Sequence, residues 1–248
     1  AGCPVAYRAP RFADILPKGF TRETPHAFGM WWLEHPGWID DCDDPERARD
    51  ELIRIAFAYW DWIKNVSTHR VAAVNLRLRE IPIMAGRRES RRLVGDYILN
   101  SNDLLAGCVF PDAVAYGGWP LDTHDLRGMT AAQSNGHRYP CERIPVYSIP
   151  FRALYSVNVQ NLMMAGRDIS VTHIALGSTR VQLTCMTIGQ AVGTAAAMCV
   201  HEGLTPRELG KRRIGALQQT LLEDDAYIPG VRNEDARDLA RTARVTAS

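Results

Sequence analysis

Two residues able to move charge, His173 and Arg180, stand seven positions apart in a stretch rich in glycine, serine and threonine (residues 170–180). Small residues there let the backbone run close to a ligand. A histidine changes charge near neutral pH and can give or take a proton. An arginine fork suits a carboxylate, a phosphate or a delocalised anion. A second histidine, His124, lies in Asp122-Thr123-His124-Asp125. A neighbouring carboxylate could hold it for proton transfer, or it could be an exposed turn histidine. The third group is Arg87, Arg88, Arg91 and Arg92, with Glu89 among them. It reads as a solvated basic patch, or as a patch from which Arg88 and Arg91 reach a substrate carboxylate or phosphate. No second histidine sits at a metal-ligand spacing, and the six cysteines form no CxxC pair, so no metal site is expected.

Several elements must position these groups. Asp44 followed by Pro45 marks a helix start, and Leu52, Ile55, Ala56, Tyr59, Trp60 and Ile63 continue it at helical spacing to Asn65. Asn100-Ser101-Asn102-Asp103 could cap a short helix. Met30 to Glu34, Asp112 to Tyr116, Val146 to Ile149 and Leu162 to Ala165 read as strands, the last stopped by Gly166. The tract from Ser170 to Arg180 reads as a loop. It leads into a long helix from about Val181 to His201, ended by Gly203. On that helix Cys185, Gly189, Gly193 and Ala197 recur every four residues, a stripe that admits another backbone or a flat ligand. Its N-terminus offers unpaired N–H groups and partial positive charge. Thr205-Pro206 starts one further helix to about Glu223, and residues 230–248 look helical before a frayed tail.

A net charge of +1 gives no electrostatic pull toward nucleic acid or anionic membrane. No run reaches the roughly 18 apolar residues of a membrane span. Cys3, Cys42, Cys108, Cys141, Cys185 and Cys199 are scattered, which fits a reducing compartment and a cytoplasmic setting. The opening residues show neither an initiating methionine nor a signal pattern, and read as the interior of a longer protein.

The stretch 149–209, containing the Ala-Gly-Arg-Asp segment 165–168 and the Gly-Ser-Thr-Arg segment 177–180, resembles the C-terminal cofactor segment of the FAD-dependent oxidoreductases, within the glutathione-reductase-like class of flavoproteins. The likeness extends to residues 60–65, 86–99, 110–125 and 217–229. It implies an α/β fold: a C-terminal part of an FAD-binding domain plus a mixed α+β substrate domain. Residues 1–143 would form most of the substrate domain, 144–203 would return to complete the FAD-binding domain, and 204–248 would be C-terminal helices. It implies FAD as cofactor, with Gly166, Arg167 and Asp168 near the ribityl and pyrophosphate region. Arg180, Val181, Gln182 and Leu183 would face the pyrimidine edge of the flavin, with Ser178 and Thr179 beside them. His173, Arg180 and, as the second choice of acid–base group, His124 would be catalytic.

One departure stands out. The dinucleotide fingerprint GxGxxG occurs nowhere in the chain. With the resemblance, this predicts a split or truncated oxidoreductase that needs a second polypeptide carrying the phosphate-binding segment. The rival expectation is a non-catalytic partner or structural subunit that has lost its cofactor. A polysaccharide hydrolase or lyase is the remaining alternative, and no paired carboxylates suggest it.

Overall fold

The first long helix begins where its capping residues stand. In the computed structural model, which describes residues 4–11, 33–35, 37–87, 89–124, 127–128 and 143–244, α1 spans Pro45–Asn65. The Asp44 side chain accepts from the Arg47 N–H at 3.2 Å, and Pro45 fills the first turn, where no N–H is needed. A short α2 (Arg70–Ala73) follows. Tyr59, Trp60, Ile63 and Ala73 form a small core, with Tyr7, Leu33, Trp62 and Leu78 around it. Lys64, though buried, donates to the carbonyls of Ala73, Val74 and Leu76 at 2.8, 2.9 and 2.9 Å. Its three ammonium protons thus satisfy the three carbonyls at the end of α2.

These elements belong to one of two compact units. The first comprises residues up to 88 together with 123–138; the second comprises 89–122 and residues from 139 onward. In the second unit α3 (Ser101–Leu105) carries a capping box. Asn100 accepts from the Asp103 N–H, and Asp103 accepts from the Asn100 N–H at 3.0 Å. β1 (Ala113–Gly117) and β2 (Tyr147–Pro150) pair antiparallel, Ala115 opposite Ile149 and Gly117 opposite Tyr147, with an irregularity at Val114. Both strands are almost wholly buried, and α5 (Gln182–Glu202) and α7 (Ile214–Glu223) pack on β1. A Cβ at Gly117 would collide with the Tyr147 phenol, so glycine makes room there for the largest side chain of the pair. Helices plus this small sheet are consistent with the α/β class.

Several expectations change. Leu162 to Ala165 is not a strand: only Met163 bridges, to Tyr155, because its partner tract lies between a 3-10 turn at Phe151–Ala153 and the turn at Ser156. The expected loop 170–180 contains a helix, α4 (His173–Thr179). Burial of Ala175 to Thr179 overrides the weak helix propensity of Gly177, Ser178 and Thr179. The helix after Thr205 is two helices, α6 (Pro206–Arg212) and α7, with non-helical backbone at Arg213 (φ −133°), which lets Leu209, Leu217 and Leu221 enter one core. Among the described residues beyond 230, only Leu239–Arg241 is helical, as a 3-10 turn. There the side chains of Asn233, Asp235 and Asp238 accept from backbone N–H groups two residues on and compete with helix formation. The strand expected at Met30 to Glu34 falls mostly outside the described residues.

By length and composition α5 is a helix apolar enough to cross a membrane. Its leucine, isoleucine, valine, methionine, cysteine and alanine side chains supply that hydropathy, interrupted by glycine, threonine and glutamine. One face, Thr184, Ile188, Ala191, Ala195 and Cys199, is buried in the unit's core.

Candidate functional site

The site is assembled where α4 hands over to α5. Arg180 ends α4, and Val181 is the N-cap of α5. Val181 has no side-chain acceptor, so its side chain caps none of the first-turn N–H groups of Gln182, Leu183 and Thr184. They direct partial positive charge outward from a 21-residue helix. Just behind them the Thr179 hydroxyl is fully buried with no hydrogen-bond partner among the described residues.

Gly166 has φ +115°, a conformation that glycine alone adopts readily, and nothing within 4 Å would meet a Cβ there. Arg167 and Asp168 follow it, and both lie near enough to the first turn of α5 to act on Cys185. Burial pushes the Cys185 thiol up, with Arg167 opposing and Asp168 adding to that shift. Structure therefore brings together two tracts that the sequence separates, 166–168 and 179–183.

Arg180 is held by Asp122. Its Nη2 donates to the Asp122 carboxylate at 2.9 Å and to the Asp122 carbonyl at 3.0 Å. Close approach is possible because a Cβ at Gly177 would sit 2.9 Å from the Asp122 carbonyl oxygen. Asp122 thus fixes the guanidinium and offsets part of its charge. Ser178 is completely buried: its hydroxyl donates to the Trp119 carbonyl and bonds Tyr147 Oη at 2.7 Å. Ser178 and Thr179 are therefore enclosed, whereas Gln182 and Leu183 are exposed. Arg91 is also exposed, and Arg88 lies outside the described residues.

His173 opens α4 and is half-exposed. Its Nδ1 lies 2.6 Å from Glu89 Oε2, and the other Glu89 oxygen accepts from Arg92. His124 belongs to the first unit, where its Nδ1 lies 2.5 Å from Glu34 Oε1. Its recorded carboxylate is thus remote in sequence, while Asp122 is engaged with Arg180. Sequence reasoning missed Glu34 and Tyr147 as supporting groups, offered Asp122 to His124 where the structure gives it to Arg180, and saw Glu89 only as a partner for arginines. Nothing local marks a contact that spans 84 positions, as His173 to Glu89 does.

In the small-residue stripe on α5, Cys185 lies 3.5 Å from the Thr179 carbonyl oxygen. At Gly189 and Gly193 a Cβ would find nothing within 4 Å among the described residues. Leu183, Met186 and Val200 lie exposed on the side away from the core, Val200 at 83%.

These residues fit a flavin. An uncapped helix N-terminus with an arginine beside it suits the electron-rich pyrimidine edge, and a glycine–arginine–aspartate turn next to it can approach a ribityl chain through its backbone. Comparison with known proteins agrees. The family model described as FAD dependent oxidoreductase matches residues 4–221. No curated protein and no solved structure matches the chain. With most of its length covered by that model, the chain belongs to the FAD dependent oxidoreductase family, and its cofactor is FAD.

Proposed function

We infer that this chain is the flavin-facing, C-terminal portion of an oxidoreductase that transfers a hydride between an organic substrate and FAD, working with a second polypeptide that carries the phosphate-binding segment. The observation that carries this reading is the uncapped start of α5 beside Gly166, Arg167 and Asp168. FAD supplies the hydride acceptor or donor. Arg180, held by Asp122, orients the edge of the site and adds positive charge there. Gly166, Arg167, Asp168, Val181, Gln182 and Leu183 hold the cofactor, with Ser178 and Thr179 shaping the wall from beneath. His173 gives or takes the proton that accompanies the hydride, and Arg91, with Arg88, binds the substrate's anionic group. In this reading residues 1–143 contribute most of the substrate domain and residues 144–203 complete the FAD-binding domain. The setting is cytoplasmic.

Two features support the need for a second chain. The sequence has no GxGxxG, so a strong pyrophosphate cradle must come from elsewhere. The outer face of α5, with exposed Leu183, Met186 and Val200 and open Gly193, offers apolar surface for another polypeptide to cover. The test is FAD binding by the purified chain, followed by fluorescence quenching, with and without co-purifying proteins. Weak binding alone and stoichiometric yellow colour with a companion is the expected result. Tight binding by the isolated chain overturns the second-chain part. Absence of flavin in both preparations favours a non-catalytic subunit.

A further inference from the structure

We propose that Glu89 is the positioning residue of His173, holding it as an Nδ1-protonated imidazole, with Arg92 keeping Glu89 charged. The inference rests on the reading of His173 as the acid–base group. His173 Nδ1 stands 2.6 Å from Glu89 Oε2, and Arg92 bonds the other carboxylate oxygen. An ionised carboxylate can only accept, so the ring nitrogen facing it carries the proton. The neutral ring then keeps its basic lone pair on Nε2.

Backbone bonds fix the two tracts to each other. The Leu93 N–H donates to the Asp168 carbonyl at 3.0 Å, the Leu99 N–H to that of Ser170 at 3.0 Å, and the Thr172 N–H to that of Leu99 at 2.9 Å. Gly95 lies so close that a Cβ would be 2.7 Å from the Arg152 carbonyl oxygen. The segment bearing Glu89 is thus tied to the one that delivers Asp168, on the cofactor side, and His173, on the proton side. Among the described residues, Glu89 contacts the imidazole and Arg92 bonds Glu89 from behind. The N-terminal end of α4 opposes them by disfavouring the imidazolium. A carboxylate in direct contact outweighs the partial charge of one short helix, so Glu89 makes the ring more basic as well as fixing its orientation.

The test uses nitrogen-15 NMR of the full chain, with the His173 signal identified by its loss in His173→Asn. In the native protein the ring nitrogens should show the Nδ1-protonated tautomer. Glu89→Gln should shift the population toward the Nε2-protonated form and move the midpoint of protonation to lower pH. Arg92→Gln should do the same to a smaller extent, and Glu89→Asp should retain the native tautomer in part. In the flavin-loaded protein, Glu89→Gln should lower turnover about tenfold or more and displace the histidine limb of the pH profile to lower pH. An unchanged tautomer and midpoint in Glu89→Gln overturns the proposal. Should the tautomer change while Glu89→Gln and His173→Asn both turn over normally, the pair is structural. The acid–base reading of His173 then fails with it, while the cofactor assignment is untouched.

Discussion

The bond between Tyr147 and Ser178 joins the buried sheet to the helix that ends at the cofactor site, and its strength can be worked out from its surroundings. Both residues are fully buried. Ser178 has one hydroxyl proton and donates it to the Trp119 carbonyl, so Tyr147 is the donor to Ser178 Oγ at 2.7 Å. Tyr147→Phe removes that donor and leaves Ser178 its bond to Trp119. The loss should be about 1 kcal/mol, the net value of one hydrogen bond. Ser178→Ala is worse, because it strands the phenol O–H where no water reaches it and also removes the bond to Trp119. It should cost about 2–3 kcal/mol, as a buried donor without an acceptor carries its own desolvation penalty. In the double variant the stranded donor is gone, so the combined loss should be about 2 kcal/mol, smaller than the sum of the two. At roughly 2–4 °C per kcal/mol for a chain of this size, the two single variants separate clearly in Tm. Urea unfolding of all four proteins closes the cycle, and bound flavin measured on the same samples shows whether the wall behind Arg180 has shifted. Strict additivity would refute the reasoning, since it would mean that the two hydroxyls do not act on each other. A Tyr147→Phe loss larger than that of Ser178→Ala would refute the assigned donor direction.

Three further expectations follow from ionisable groups. Arg207 grips Asp96 through two nitrogens at 2.7 and 2.6 Å and holds its carboxyl below the ordinary range, while Tyr155 donates to the same carboxylate at 3.0 Å and, chiefly through burial, is pushed up to about 12. A depressed carboxyl stabilises the fold above its unfolded pKa, about 3.9, and loses that contribution as pH falls through the folded value. Asp96→Asn should therefore be less stable than the native protein near neutrality, with the gap in denaturation midpoint closing in acid; a gap constant with pH counts against the pairing. The raised phenol stabilises the fold below its ordinary pKa of about 10 and loses this as pH rises through its folded value. Tyr155→Phe should accordingly remove one of the tyrosinate signals that appear late in an alkaline titration, above the ordinary phenol range. For Arg180→Ala, reduction of bound flavin by stopped flow should slow by about tenfold to a thousandfold, the scale for removing one positioned electrostatic group. Its melting temperature should fall only by the few degrees expected for losing a partly exposed pair with Asp122. Equal loss of both, or an unchanged reduction rate, would return Arg180 to a purely structural role.

Much of the helix framework is determined within a few residues of sequence, because caps and helical spacing act locally. Asp44 and Pro45 start α1, the Asn100–Asp103 box starts α3, and Gly203 ends α5 at φ +65°. The glycine–arginine–aspartate turn and the start of α5 were legible for the same reason: each is a short string whose backbone needs are written in its own residues. Other features depend on which distant tracts the core brings side by side. β1 pairs with β2 although Gly117 and its partner Tyr147 are 30 positions apart, Glu89 reaches His173 over 84 positions, and Asp122 reaches Arg180 over 58. α4 is the sharpest case. It ends in Gly177, Ser178 and Thr179, poor helix formers, and burial from Ala175 onward holds them helical. The sequence by itself determined where charge could be handled and where helices begin and end. The tertiary structure decided which carboxylate holds which cation, because long-range pairing depends on how the whole core closes and no local pattern encodes it.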